Sequence, residues 1–323
     1  MHVITRMKEK LKHIAIKILD IALLPLSYVF LPLYKLVKKY GISNFPLQVK
    51  AFTKTGIYPM QNHYYHPQFV YSDQFDAQKI RNLHIHFNLE KQLTELANLK
   101  FVNELIFKTE GDPYKGEFYL NNPAYGPGDA DLYYLMVRNW APKKIIEIGS
   151  GFSTMLCLLA IEKNKQANIN TSLTCIEPYE IKWLDTTNNI DLKREKVENI
   201  PVEFFKQLQE DDILFIDSSH IIRPENDVLF EYLEILPALN KGVIIHIHDI
   251  FSPRHYRSDW LQNDLRLWNE QYLLEAFLYY NDSFEIMYSL NYLKTNHFTA
   301  TQQTLTNLSP KDQPASIWLR KIK

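Results

Sequence analysis

The chain has 323 residues, 46% of them hydrophobic, with 36 basic and 37 acidic side chains and a net charge of -1. This length permits one substantial buried core and a smaller second lobe. The balanced charge argues against nucleic acid as a partner, because no global field would hold a polyanion. Only two cysteines occur, without metal-type spacing, which excludes a cysteine-based zinc site and fits a reducing compartment such as the cytoplasm.

Residues 1–40 differ from the rest of the chain in composition. An uncharged apolar stretch, residues 21–34, has lysines on both sides. It is shorter than the ~20 residues of a spanning helix, and Pro25 and Pro32 would break or kink a helix. We interpret the segment either as an anchor on a membrane surface, with its lysines on anionic head groups, or as an arm packed on the protein or on a second copy in a homo-oligomer. Asp20 interrupts the apolar run and argues against a signal peptide.

Residues 41–125 predict an accessory or lid lobe. This segment is rich in Tyr, His, Phe and Asn, has Gly and Pro turn signals, and contains a helical pattern between about 89 and 107. The pattern changes at Asp129, which can cap a helix that runs through Trp140. Residues 126–323 therefore form the predicted core domain.

Short apolar runs alternate with helical patterns in the core domain. The predicted strands are 144–148, 173–176, 213–216 and 243–247, and the predicted helices are 153–163, 225–239 and 260–280. Apolar strands separated by helices indicate a parallel sheet that is covered on both faces. The predicted fold is a doubly wound α/β, Rossmann-like sheet with a terminal antiparallel pair at 284–290 and 316–322.

Ligands of such sheets bind beyond the carboxyl ends of the strands. The first strand ends in a glycine loop whose glycines permit a sharp turn and the close approach of a ligand. The third glycine of the dinucleotide fingerprint is missing, and a carboxylate inside the strand end suits the amino end of a methionine-type sulfonium. The loop therefore favours S-adenosylmethionine over a nicotinamide cofactor. Its candidate cofactor-binding residues are Glu147, Gly149, Ser150, Gly151 and Ser153.

Acidic side chains near two further strand ends are also candidates for the cofactor site. Glu177 directly follows the second strand, where a carboxylate can accept both ribose hydroxyls. Glu198 lies near the end of a possible third strand and is either close to the adenine or an ordinary surface glutamate.

Asp217 and His220 follow the next strand, and His248 and Asp249 end the one after it. A carboxylate and an imidazole at this edge can bind a divalent ion or take a proton. His246, inside the apolar run, is interpreted as a core residue.

These motifs, in this order, resemble those of class I S-adenosylmethionine-dependent methyltransferases. The resemblance is closest to a bacterial branch associated with surface-polysaccharide genes, and it covers about residues 56–274. It implies O-methylation of a hydroxyl on a sugar or another small polar acceptor, with Asp217 beside the transferred methyl group. Candidates for stacking on the acceptor are His63, Tyr64, Tyr65, Tyr125 and Trp268.

The resemblance further implies that Asp217 and Asp249 are candidate ligands of a divalent metal such as Mg²⁺. It implies that His220, His248 or Asp249 activates the acceptor as catalytic residue. A same-fold metal-dependent hydroxylase of the cephalosporin-hydroxylase type remains an alternative, and so does a non-catalytic membrane-associated scaffold. We expect a cytoplasmic protein, either free or peripheral on the inner face of the plasma membrane.

Overall fold

The computed structural model describes residues 2–58, 75–262 and 264–323. The chain divides into two compact units, Met1–Gln74 and Phe75–Lys323. The functional division at residues 40 and 125 stays a prediction.

The first unit contains helix α1, His2–Lys39, a short 3-10 turn and helix α2, Pro46–Thr55. Helix α1 runs through Pro25 and Pro32, so neither proline breaks it, and the alternative of a kink stays a prediction. By length and composition, Lys10–Lys39 is the one described helix able to cross a membrane.

The second unit is built on a seven-stranded sheet. Its strands are β1 Lys144–Ile148, β2 Ser172–Ile176, β3 Asp191–Lys193, β4 Ile213–Ile216, β5 Ile244–His248, β6 Phe284–Ser289 and β7 Ser316–Lys321. Their order is β3-β2-β1-β4-β5-β7-β6, and β7 runs antiparallel to both of its neighbours. The predicted doubly wound, Rossmann-like sheet with an antiparallel terminal pair is confirmed. The direction of winding reverses between β1 and β4, which is where a ligand crevice opens in such sheets.

Helices cover both faces of this sheet. They are α3 Leu89–Ala97, α4 Asp129–Trp140, α5 Phe152–Gln166, α6 Lys182–Asp185, α7 Asp227–Phe230, α8 Leu236–Ala238, α9 Ser258–Gln262, α10 Glu270–Leu278, α11 Leu290–Asn296 and α12 Phe298–Thr304. Alternate strand residues belong to two separate buried clusters, Ile145 and Phe215 to one, Ile146 and Leu214 to the other. Two hydrophobic cores therefore hold the sheet between its helical layers.

Two predicted helices are shorter than their sequence patterns suggested. The helix expected between 89 and 107 ends at Ala97. The long helix expected at 260–280 is wrong, because α9 and α10 are separated by an irregular segment in which Leu265 has φ +52°. Trp268 of this segment packs against His220, with 4.2 Å between ring centroids. The apolar residues of this segment thus make a tertiary contact and do not form one face of a helix.

Candidate active site

The loop between β1 and α5 lies at the point where the sheet reverses its winding. Gly149 has φ +79°, and a Cβ atom there would lie 2.0 Å from the carbonyl oxygen of Asp217 after β4. Only glycine fits, because the chain is left-handed and also touches the neighbouring strand end. A Cβ atom on Gly151 would meet nothing within 4 Å, so this part of the loop is open to a ligand.

Glu147 is fully buried beneath the loop. Its carboxylate accepts hydrogen bonds from the hydroxyls of Ser153 at 2.7 Å, Ser150 at 3.5 Å and Thr154. Burial raises the pKa of Glu147 to about 7, against the opposing effect of these hydroxyls. The contacts of Glu147 are with the loop, the first turn of α5 and the thiol of Cys175 on β2, so this side chain supports the shape of the loop. Its contact with the methionine part of a cofactor stays a prediction.

Glu177 ties the end of β2 to the same loop. Its carboxylate oxygens accept hydrogen bonds from the backbone N–H groups of Ser150 at 3.2 Å and Tyr179 at 2.8 Å. A cavity of about 220 Å³ opens beside it. Four of the eight predicted cofactor residues line this cavity, namely Gly149, Glu177, Glu198 and Asp217.

Asp217, His220 and Asp249 form a cluster at the ends of β4 and β5. The Nε2 atom of His220 lies 3.2 Å from Oδ1 of Asp217 and 3.6 Å from Oδ2 of Asp249. One donor atom from each of the three residues lies within 4.8 Å of the others. His248 adjoins the cluster, with Nε2 3.6 Å from Oδ1 of Asp249. The predicted metal and catalytic residues are therefore neighbours.

His220 and Asp249 are both in the left-handed backbone region, with φ +61° and φ +57°. This conformation is uncommon for residues with side chains and costs of order 1–3 kcal/mol. Strained residues of this kind concentrate at functional sites. The two outliers therefore support a functional role for the cluster.

Electrostatics within the cluster follow from burial and close charges. Burial lowers the pKa of His220, but the carboxylates of Asp217 and Glu270 outweigh it and hold this pKa well above its usual value. Burial raises the pKa of Asp249 to about 6. In contrast, burial drives the pKa of His246 well below its usual value, and the ring packs 4.1 Å from that of Phe215. The interpretation of His246 as a core residue is confirmed.

A second cavity, of about 640 Å³, begins at His248 and Asp249. Its walls are the loop before α4, residues 121–127, and the loop before β7, residues 309–315, with Trp260 on a third side. Sequence reasoning missed these walls, because nothing local in either loop marks it as part of a site. Glu270, which is fully buried beside His220, was missed for the same reason.

The aromatic candidates for acceptor stacking have different surroundings. Tyr125 is buried, with its ring 4.9 Å from that of His248, and Trp268 lies half-buried against His220. His63, Tyr64 and Tyr65 lie outside the described residues.

Residues 146–250 match a family model described as a methyltransferase domain. The matched region includes the glycine loop, Glu177, and the cluster at the ends of β4 and β5. This region, which holds strands β2 to β5 and the end of β1, is therefore similar to a methyltransferase domain.

Individual proteins similar to the chain cover parts of it. An uncharacterized protein from Archaeoglobus fulgidus is 31% identical over 138 residues, which are 41% of this chain and 61% of that protein. The chain thus spans about three fifths of the length of this relative.

Two solved O-methyltransferases are also similar at low sequence identity. TomG from Streptomyces achromogenes, involved in tomaymycin synthesis and solved with S-adenosylmethionine, has 11% identity over 76% of this chain and 93% of its own, with a TM-score of 0.39. An O-methyltransferase from Bacillus cereus, solved with S-adenosylhomocysteine, has 12% identity over 71% of this chain and 90% of its own, with a TM-score of 0.34.

Proposed function

We propose that the chain is an S-adenosylmethionine-dependent O-methyltransferase that acts on a hydroxyl of a sugar or another small polar acceptor. The observation that carries this proposal is the meeting of two cavities at one cluster of ionisable groups. Asp217 lines the cavity at the glycine loop, Asp249 lines the larger cavity, and His220 lies between the two carboxylates. A methyl donor in the first cavity and an acceptor in the second would meet at this cluster.

The cavity at the glycine loop suits the methyl donor. The open face of Gly151 allows a ligand to approach the loop closely. Glu177 accepts hydrogen bonds from two backbone N–H groups, and its remaining lone pairs can accept hydrogen bonds from ribose hydroxyls. Glu198 on the cavity wall is assigned to the adenine end. We assign the methionine part to the loop backbone, which Glu147 supports from below.

Methyl transfer breaks the bond between sulfur and the methyl carbon and forms a bond between that carbon and the acceptor oxygen. Sulfur keeps the electron pair, and the hydroxyl proton passes to a base. His248 is the group placed to take this proton, because its ring lines the acceptor cavity and its Nε2 atom adjoins Asp249. The walls of the two cavities hold the reacting atoms in line.

Asp217 and Asp249 fit the divalent metal site that the family resemblance implies. Their carboxylates lie with the imidazole of His220 within the spacing that one ion can bridge. An ion such as Mg²⁺, when bound, would lower the pKa of an acceptor hydroxyl.

We also propose that residues 1–40 hold the protein at the cytoplasmic face of the membrane. Apolar side chains of α1, such as Ile21 and Phe30, are exposed, and lysines flank them on both sides. A lipid-linked saccharide of the cell surface would then be a suitable acceptor. Flotation of the full chain with phosphatidylcholine vesicles, with and without phosphatidylglycerol, tests whether the protein binds to a membrane. A dimer that does not float would instead indicate that α1 packs on a second copy.

Calorimetric titration with S-adenosylhomocysteine tests the proposed activity. We expect micromolar binding at one site, and no binding of NAD⁺ at the same concentrations, because the loop lacks the third glycine for a pyrophosphate. Folded protein that does not bind S-adenosylhomocysteine would contradict the proposal. Co-purified iron in such a protein would favour the hydroxylase alternative.

A further inference from the structure

We infer that His220 is itself a metal ligand beside Asp217 and Asp249, and that Glu270 is the positioning residue that presents its Nε2 atom to the ion. An imidazole in the ligand set makes Mn²⁺ or Co²⁺ the preferred ion over Mg²⁺. The role of the ion in methyl transfer rests on the proposed function, whereas its binding does not.

The three donor groups lie close enough together to share one ion. Nε2 of His220 lies 3.2 Å from one carboxylate and 3.6 Å from the other. An ion with metal–ligand distances near 2.1 Å holds adjacent ligand atoms roughly 3 Å apart, which is close to this spacing. The imidazole is buried, while the side chain of Asp217 is 33% exposed and that of Asp249 is 14% exposed. An ion there would keep positions for water or an acceptor oxygen.

Glu270 fixes which nitrogen of His220 is free. Its Oε2 atom lies 2.7 Å from Nδ1 of His220, and its Oε1 atom accepts the hydroxyl of Tyr232 at 2.9 Å. A carboxylate oxygen that accepts from Nδ1 leaves Nε2 as the nitrogen that faces the two aspartates and can offer a lone pair to an ion. In metal sites, a histidine ligand usually donates its other ring N–H to a carboxylate or a similar acceptor. This hydrogen bond fixes the tautomer and the orientation of the ring.

The start of helix α10 also holds the backbone of His220. The N–H groups of Asn269 and Glu270 donate to the carbonyl oxygen of His220 at 3.0 and 3.2 Å. The side chain of Asn269 accepts the N–H of Ile222 at 2.7 Å, and Trp268 packs on the imidazole ring. These contacts maintain the left-handed backbone at His220 and aim its ring at the two aspartates.

The ligand types determine which ion is favoured. Mg²⁺ prefers oxygen ligands and keeps several waters, whereas imidazole suits later first-row ions. An imidazole beside two carboxylates therefore favours a first-row transition ion such as Mn²⁺ or Co²⁺ over Mg²⁺, and we choose Mn²⁺ as the probe because it also suits carboxylates.

Calorimetric titration of the metal-free full chain with MnCl₂ and with MgCl₂ tests the site directly. We expect one Mn²⁺ per chain, bound at least about tenfold more tightly than Mg²⁺. Glu270→Gln should weaken Mn²⁺ about tenfold and Glu270→Ala up to about 100-fold, because glutamine can still accept from Nδ1 and alanine cannot. Glu231→Gln is the matched control. Glu231 is another fully buried carboxylate, but its hydrogen bond is with Ser218 and not with His220, so we expect a smaller loss of affinity than in Glu270→Gln.

Pulsed electron paramagnetic resonance of bound Mn²⁺ identifies the nitrogen ligand. We expect a directly coordinated nitrogen in the wild type and its loss in His220→Asn. No Mn²⁺ binding, no nitrogen coupling, coupling that survives in His220→Asn, or equal losses in Glu270→Ala and Glu231→Gln would each overturn the inference.

Titration of the same proteins with S-adenosylhomocysteine separates this inference from the proposed function. Binding of this ligand by the Glu270 variants shows that they are folded. A wild type that binds it but not Mn²⁺ retains the proposed function without this metal site. If the wild type binds Mn²⁺ but not S-adenosylhomocysteine, the proposed function is contradicted and the inferred metal site is retained.

Discussion

Alanine at Gly149 tests whether contact with the end of β4 shapes the glycine loop. The added Cβ atom would lie 2.0 Å from the carbonyl oxygen of Asp217, so the two backbone segments would have to move apart. Left-handed strain at φ +79° costs ~1–2 kcal/mol, and overpacking adds about 1–3 kcal/mol. We expect Gly149→Ala to lower the free energy of unfolding by about 2–5 kcal/mol.

The same substitution should also impair the cofactor cavity, since Gly149 and Asp217 both line it. We expect binding of S-adenosylhomocysteine to weaken by at least about tenfold, the equivalent of ~1.4 kcal/mol. Urea unfolding of the ligand-free protein measures the stability change, and calorimetry measures the binding change.

Gly151→Ala is the matched control in the same loop. Gly151 has an extended backbone with φ -178°, and its Cβ atom would meet nothing within 4 Å. We expect its free energy of unfolding to stay within about 0.5 kcal/mol of the wild type. Equal stability of Gly149→Ala and the wild type, or equal losses in both variants, would refute this account of the loop.

Three further predictions concern buried groups. Burial raises the pKa of Glu147 to about 7 in the folded protein, against 4.5 in the unfolded chain. Between about pH 4.5 and pH 7 the folded state therefore binds more protons than the unfolded state, and the free energy of unfolding falls as the pH rises. Glu147→Gln should remove roughly 3 kcal/mol of this pH dependence in denaturation at pH 5 and pH 8, and unchanged slopes would contradict the assignment. Burial also raises the pKa of Cys157 and Cys175, so iodoacetamide at pH 8 should label them only after unfolding; labelling of native protein would show that they are accessible. His248→Gln should reduce methyl transfer by at least about 100-fold while the affinity for S-adenosylhomocysteine changes less than about twofold, and full turnover would exclude His248 as the base.

The sheet could be predicted because its strands are apolar on both faces. A continuous apolar run such as Ile213–Ile216 is short and ends in polar residues, so its limits are visible in the sequence. In a parallel sheet all such runs end at one edge, which is why Asp217 and Asp249 were expected near each other. The rule needs no knowledge of tertiary contacts.

Other features depend on contacts between distant segments and were not predictable. Leu265 and Trp268 have the spacing of a helix face, yet the segment bends so that Trp268 packs on His220. The carboxylate of Glu147 accepts hydrogen bonds from Ser153 and Thr154 at the start of α5, which its sequence position did not indicate, while its contact with a ligand stays a prediction. Whether a strand-end carboxylate faces a cavity or supports a loop depends on packing that periodicity does not encode.

The family match covers residues 146–250, and these residues hold only part of the candidate site. The glycine loop, Glu177 and Asp217 lie inside the matched region, so the cavity assigned to the methyl donor is built from it. Glu270, which holds the ring of His220, lies outside it. So do the loops 121–127 and 309–315 that wall the acceptor cavity. The proposed acceptor and the proposed metal preference therefore have to be measured on the full chain and not on residues 146–250 alone.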